Sequence, residues 1–430
     1  MAVGVTKQRV SLNALTAAAL ALLNAAPVQA GEAEYADLNS QFSRYEESGG
    51  RMNIDIYQAS ALLPFTDRLS FKVNGVKDII TGASPVANLP QLNGKPYQML
   101  SGASIKDERD SVDGTLSYKH DNGTVSLGGG RSSENDYESN FVNIDSRLDF
   151  NQKMTTLETG YGFSSDTVWA IDHCPPHCLS TNTNTETSGL STDGLSSDIG
   201  NTSNKQSTYK RPDVGGDKVT HQGILGITQI IDKNSLLQAN VTYTYNGGYL
   251  SDPYKAVYAP WATEPYPIYG GTFVHDTRPS SRNQVALFTR YIRHFAALNA
   301  AALHLDYRYY ADTWGVDAHT VNATWIQPIW NDWKISPSVR YYTQGAADFY
   351  QPYFTQQRAD GYYSSDYRLA QFGAIGGGVQ ISKDFFERLN VGFGIDFYQR
   401  KKSYGFSGGA GSSIDDFSFS FYTAKLNFKF

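Results

Sequence analysis

Long extended segments with two chemically opposed faces dominate this chain. Leu389, Val391, Phe393, Ile395 and Phe397 fall on one parity, while Asn390, Gly392, Gly394, Asp396, Tyr398 and Arg400 fall on the other. Leu303, Leu305, Tyr307 and Tyr309 likewise oppose His304, Asp306, Arg308 and Tyr310, and Trp333, Ile335, Val339 and Tyr341 oppose Lys334, Ser336, Ser338, Arg340 and Tyr342. A period of two marks strands whose faces meet different surroundings. A soluble β-sandwich alternates as well. The runs here, however, commonly reach about ten residues, which suits a tilted membrane strand and exceeds the five or six usual in globular sheets.

The connections are asymmetric. Brief breaks such as Asp121-Asn122-Gly123, Asp232-Lys233-Asn234 and Asn331-Asp332 alternate with the long segments 82–107, 166–217, 247–281, 346–366 and 402–415. Short turns on one side and long loops on the other are the habit of bacterial transmembrane barrels, whose strand number is even. The pattern predicts strands near 35–47, 50–62, 68–81, 108–120, 123–132, 137–150, 153–165, 218–230, 235–246, 282–294, 298–312, 316–329, 332–345, 367–381, 388–401 and 416–430. The expected fold is therefore all-β, a closed antiparallel transmembrane β-barrel of about 16 strands. Its short turns would face the periplasm and its long loops the exterior. The final strand carries the most specific mark: Tyr422, Ala424, Leu426, Phe428 and the terminal Phe430 share one parity, as in the segment that the barrel-assembly machinery recognises.

The amino-terminal end fits the same destination. Lys7 and Arg9 precede an apolar stretch from Leu12 to Leu23, and Pro27-Val28-Gln29-Ala30 supplies a small-residue cleavage site. That pattern predicts a signal peptide over 1–30 and a mature barrel over 31–430. Its apolar run is well short of the roughly 20 residues of a helical span. No later run reaches spanning length, and the mean hydropathy of -0.41 excludes a helical membrane protein but not a barrel of alternating strands. A net charge of -6, made more negative once Lys7 and Arg9 are removed, disfavours nucleic acid.

In hydrocarbon every backbone polar group must be paired, so a sheet can span only by closing on itself. Closure turns the alternation into outside and inside. Outer-membrane lipid would meet the apolar parity, and Asp55, Asp145, Arg147, Glu158, Asp306, Arg308, Arg340, Asp396 and Arg400 would face the lumen. At about 16 strands the interior is wide enough for a water channel unless loops fill it.

Two loops hold distinctive chemistry. Residues 179–207 are nearly all Ser, Thr, Asn, Gly and Asp, a composition unable to bury a core, and read as a mobile external loop within 166–217. At its start, Cys174, His177 and Cys178 form the one cluster of soft ligands. In an oxidising compartment a local Cys174–Cys178 disulfide is the simpler reading, and a copper or zinc site is the alternative. The order is not that of c-type haem attachment, so no cofactor is expected. The loop 247–281, with Pro253, Tyr254, Pro260, Trp261, Pro265, Tyr266 and Pro267, could pack as a stiff connection, fold into the lumen as a constriction, or offer a binding surface. No Gly-x-Ser-x-Gly elbow or His-Glu-x-x-His motif is present, and no enzyme activity is expected. The glycines at 128–130 and 376–378 lie within strands, where close backbone approach explains them.

Several local patterns resemble one family. They are Tyr45-Glu46, Asp78 through Pro85, Ser251-Asp252-Pro253-Tyr254, and Arg278-Pro279 with Arg282. Tyr307-Arg308-Tyr309-Tyr310 with Asp312, Trp314-Gly315, His319-Thr320, Arg340-Tyr341-Tyr342 with Gln344, and Phe349-Tyr350 extend the likeness over nearly the whole mature chain. The chain is similar to an uncharacterised family of proteobacterial outer-membrane barrel proteins, defined as a domain of unknown function. It departs from that family in the Cys-containing insertion. The resemblance implies the barrel fold and, through the flavin-transferase and thioredoxin-like proteins encoded near such members, an envelope redox task. Matching patterns and inferred polar parity together single out Asp78, Arg308, Asp312 and Arg340, and polar parity adds Asp306, Asp396 and Arg400, as pore-lining residues or as a structural ladder of charges. The expected function is a pore or transporter for small polar solutes in the bacterial outer membrane. The alternative is a non-conducting barrel that anchors an envelope protein partner.

Overall fold

The computed structural model describes residues 36–91, 96–100, 104–170, 214–262, 273–386, 388–406 and 415–430. The predicted signal peptide over 1–30 and the Cys174, His177 and Cys178 cluster lie outside the described residues. The first ten strands are β1 (Asp37–Glu47), β2 (Met52–Pro64), β3 (Leu69–Gly82), β4 (Pro85–Leu89), β5 (Tyr97–Leu100), β6 (Ser104–His120), β7 (Gly123–Ser133), β8 (Tyr137–Phe150), β9 (Thr155–Trp169) and β10 (Gly215–Asp232). Ten follow: β11 (Ser235–Gly248), β12 (Ala256–Tyr258), β13 (Phe273–His275), β14 (Ser281–Phe295), β15 (Ala301–Asp312), β16 (Asp317–Pro328), β17 (Trp333–Gln344), β18 (Phe372–Phe385), β19 (Leu389–Lys401) and β20 (Phe417–Lys429).

Sixteen of these strands form one closed antiparallel barrel, while β4 with β5 and β12 with β13 make two small separate ribbons. Closure runs through β1 and β20, where Leu38 faces Phe428 and Tyr45 faces Phe421. The seam ends in two reciprocal bonds, from the Ala36 N–H to the Phe430 carbonyl at 3.0 Å and from the Phe430 N–H to the Ala36 carbonyl at 2.9 Å. No ladder edge is left for lipid to meet, which is the condition for a sheet to cross hydrocarbon. No helix among the described residues is long and apolar enough to span a membrane.

Parity sorts the wall as the alternation requires. Leu127, Val142, Leu225, Leu287, Val321, Val339, Phe393 and Leu426 all point outward and are exposed. Their in-strand neighbours Ser126, Phe141, Ile224, Phe288, Asn322, Arg340, Gly394 and Lys425 face the interior. Asp55 departs from the expected placement. It pairs with Arg44 in register, one step from the outward Phe42–Tyr57 pair, so it lies on the outer face with the Arg44 guanidinium 3.5 Å away. Its strand climbs past the apolar band there, and outward parity no longer means lipid.

The turn end holds Ala36, Phe430 and tight hairpins. Asn331 and Asp332 both take left-handed backbone (φ 53° and 61°), as a two-residue hairpin loop demands and as Asn and Asp tolerate best. The interior glycines make room: a side chain on Gly378 would collide with the Asp396 carboxylate, and one on Gly128 with the Asn143 amide. At the loop end, β9 and β10 reach further than the predicted 153–165 and 218–230. Their tips are tied by Lys218 to Asp166 at 3.1 Å and Thr167 to Asp217 at 2.9 Å. The segment predicted to begin a strand at 367 instead forms a short 3-10 turn, Tyr367–Leu369, whose Arg368 N–H is held by the Asp366 carboxylate at 3.0 Å.

Buried apolar side chains concentrate at this loop end, much as a soluble domain would bury them. Val86, Ala87, Met99, Ala256 and Phe273 form one cluster across the two ribbons; Val257, Phe354 and Tyr363 form a second. Trp314, Val316, Ala347, Phe349, Tyr350 and Leu369 form a third. Burying each Val or Phe is worth about 1.5 to 3 kcal/mol, so the loops hold together as a folded cap.

Candidate functional site

The cap is knitted across the barrel mouth. Lys255, from the β11–β14 connection, donates to the Pro85 carbonyl of the β3–β6 connection at 2.6 Å. Asn88 of that same connection donates to the Ser365 carbonyl of the β17–β18 connection at 3.2 Å. Tyr254 reaches sideways to donate its hydroxyl to Asp136, in the β7–β8 turn, at 2.8 Å. Thr277 and Tyr363 exchange backbone bonds of 2.9 Å each way. These connections leave the wall at well-separated strands, so such bonds can only be made over the opening.

At the centre lies a buried network of charges. Asp366, 1% exposed, accepts from Arg278 at 2.9 Å, is bound by Arg368, and has the Lys255 ammonium 4.0 Å away. Arg278 also bonds Asp276 at 2.5 Å, Arg368 bonds Asp252 at 2.7 Å, and Ser364 donates to Asp276. Burial alone would raise the Asp366 carboxyl, but Arg368, Lys255 and Arg278 together hold it well below the usual carboxylate range. Burial pushes Lys255 down, against the pull of Asp366 and Asp252. Three acids and three bases thus neutralise one another, which is the condition for charges to be buried.

Two carboxyls in the β7–β8 turn lack that balance. Burial, reinforced by Asp136 and countered by Arg109, pushes Glu134 up to about 8. Burial, countered by the Tyr254 hydroxyl and reinforced by Asp107 and Asp252, pushes Asp136 up to about 7. Both lie above their unfolded values, so the folded turn keeps protons that the unfolded chain sheds from about pH 4. That contribution is complete below the unfolded values and is lost as pH rises through about 7 to 8. The cap is therefore expected to be cut faster by an added protease at about pH 8.5 than at about pH 6. The double variant Glu134→Gln with Asp136→Asn is expected to abolish the difference.

Beneath the cap the inward parity lines the lumen. The residues singled out from the sequence separate there into distinct settings. Asp78 is fully buried against Arg109 on β6, close to the β7–β8 turn. Asp306 is held in a two-pronged pair by Arg290 at 2.7 and 2.9 Å. Asp312 takes Arg282 at 2.5 Å and the Tyr310 hydroxyl at 2.6 Å, and its other oxygen accepts the N–H groups of Trp314 and Val316, shaping the β15–β16 turn. Arg400 is sandwiched by the rings of Tyr367, Phe372 and Phe417 at 4.9 to 5.3 Å and so joins the wall to the cap. Asp396 folds over Gly378. Arg308 and Arg340 face the lumen half-buried, without an ion pair among the described residues. The partner arginines 109 and 290, and Lys255, Asp276, Asp366 and Arg368 of the cap network, were not singled out as site residues by sequence reasoning, while Asp252, Arg278 and Arg282 stood only in the family-like patterns, with no role assigned. The Ser-Ser-Asp run at 364–366, a turn former placed before an assigned strand, was the signal that could have revealed Asp366.

Within the solved structures, a bacterial polysaccharide outer membrane secretin is similar with 7% identity and a TM-score of 0.46, over 92% of this chain and 98% of that one. A mutant of the ferric enterobactin receptor (PfeA) from Pseudomonas aeruginosa shares 8% identity with a TM-score of 0.42, over 85% of this chain and 53% of the receptor chain, so this chain spans about half its length. The CymD monoaromatic hydrocarbon channel shares 10% identity with a TM-score of 0.40, over 92% and 89% of the two chains. No curated protein matches the sequence. One family model does, over residues 12–421, and on that match the chain belongs to the family described as "Protein of unknown function (DUF3570)".

Proposed function

We propose that this protein is an outer-membrane channel for small polar solutes whose mouth is closed by the three-connection cap. The observation that carries the reading is the contrast between an apolar exterior and an interior wall that, beside an apolar patch of Tyr45, Ile54, Ile80 and Phe421, carries Arg, Asp, Asn, Ser and Thr. A barrel used only as an anchor could fill its centre with apolar side chains, whereas water and solutes need polar lining. The cap is the gate in this reading: it lies across the route and is held by charges that can be disconnected together.

Planar-bilayer recording of the purified full-length protein tests it. Rare openings or a small steady current are expected from the unaltered protein. A complete lack of conductance, in it and in cap-opened variants alike, would favour the second reading. That reading, a non-conducting anchor for an envelope protein partner, draws support from the same cap, because a folded surface across the mouth could serve as a docking platform. Tasks in envelope redox chemistry belong to this alternative, and the Cys174, His177 and Cys178 cluster would then be its first target for substitution.

A further inference from the structure

Among the described residues, the lumen-facing arginines are, with two exceptions, already satisfied. Arg109 is paired with Asp78, Arg282 with Asp312, Arg290 with Asp306 and Arg147 with Asp149, and Arg400 is enclosed by rings. Arg308 on β15 and Arg340 on β17 make no such contact, although they repel one another. Register places them on one patch of wall. Arg308 stands opposite Thr320 and Arg340 opposite Asn322 on the intervening strand β16, so the two guanidiniums flank a hydroxyl and an amide. Two strand spacings separate their backbones, about 10 Å, which two long side chains can bridge to converge on one small group.

The surroundings leave that group room. On the β18 side Arg340 faces Gly376, and a side chain added at Gly376 would approach the Arg340 side chain only to ordinary contact distance, 4.0 Å. Asp396 lies over Gly378 and forms no ion pair with either arginine. Nearby tyrosine hydroxyls are directed elsewhere: Tyr310 donates to Asp312 and Tyr342 to Gln344. The opposite wall is acidic, with Asp113, Asp145 and Glu158 on the inward parity of β6, β8 and β9. An anion in the lumen is therefore repelled from one side and drawn to the other. A guanidinium offers paired donors that match carboxylate and phosphate oxygens, and arginine is the usual residue where pores select anions.

We propose that Arg308 and Arg340, with Thr320 and Asn322 between them, form a binding site for a small oxyanion, a carboxylate- or phosphate-bearing solute, on the inner wall beneath the cap. This rests on the channel reading for its purpose but not for its existence, because binding does not require conduction.

The test uses the detergent-purified full chain and inorganic phosphate, followed by titration calorimetry, alongside reversal-potential measurements in a potassium chloride gradient. Phosphate is expected to bind, and the Arg308→Gln, Arg340→Gln double variant is expected to weaken binding at least tenfold. Arg308→Lys with Arg340→Lys, which keeps the charge and loses the paired donors, is expected to fall between. Thr242→Gln, on the inward face of β11, is expected to change nothing. Where the unaltered protein conducts, the Gln variant is expected to shift selectivity away from anions. Arginine-dependent phosphate binding without conductance upholds the site and overturns the channel. Conductance whose selectivity and phosphate binding are both indifferent to the Gln variant upholds the channel and overturns the site. Folding of each variant is checked by its retained heat-modifiable migration.

Discussion

Replacing Asp366 by alanine is expected to open the mouth of the barrel, raising the open fraction in bilayer recordings by two orders of magnitude or more. Among the described residues Asp366 is the one acid that meets all three of Arg278, Arg368 and Lys255, and its carboxylate also orders the Tyr367–Leu369 turn. Deleting it leaves three cations facing only Asp252 and Asp276, so one buried positive charge, nearest Lys255, goes uncompensated. Removing one partner from a buried charge cluster costs about 3 to 5 kcal/mol, since the remaining charges are stranded. At about 1.4 kcal/mol per decade, that is a shift of roughly 10² to 10³-fold or more between closed and open cap. The wall should not feel it, because β17 and β18 stay paired from Trp333 to Gln344 regardless of the loop between them. A matched loss at the turn end, Arg68→Ala, breaks an exposed pair with Asp121 and should leave conductance unchanged. Unaltered conductance in Asp366→Ala, with proteolysis showing the cap released, would mean that the cap does not gate the lumen.

The barrel was legible in the sequence because membrane and water impose their pattern residue by residue. Phe393 must be apolar and Asp396 can be polar for reasons that depend only on which side each faces, and parity transmits that choice along the strand. The cap follows a different logic. Asp276 and Asp366 are nearly a hundred positions apart, joined through Arg278, and nothing in their local sequences distinguishes them from solvated loop acids. Their pairing is a product of tertiary packing. The long polar connections were thus separated from strands to within a few residues where the structure describes both, yet their ribbons, β4 with β5 and β12 with β13, were not foreseen. Three to five residues give too short a run for periodicity to register. Among the residues singled out, parity located Arg308 and Arg340 on the lumen wall, but it could not tell an arginine with a partner from one without. Asp55 shows the rule failing where the strand leaves the apolar band: beyond that height both faces meet water, and polarity no longer reports direction.

The dependence of the whole fold on facing direction can be measured with two adjacent residues. Val241 and Thr242 lie mid-way along β11; Val241 points outward and is exposed, and Thr242 points into the lumen. Lysine at Val241 puts a charge against acyl chains near the midplane, at a cost of about 2 to 4 kcal/mol. Lysine at Thr242 puts the same charge in a polar interior rich in acids, where the cost should be near zero. Backbone pairing is identical in the two cases, since both residues belong to the same β10–β11 and β11–β14 ladders. Urea unfolding of the protein in lipid vesicles is therefore expected to show marked destabilisation for Val241→Lys and little change for Thr242→Lys. Equal losses at both sites would mean that outward parity does not meet hydrocarbon. The apolar exterior would then have to be covered by protein, and the interior could no longer be read as a path for solutes.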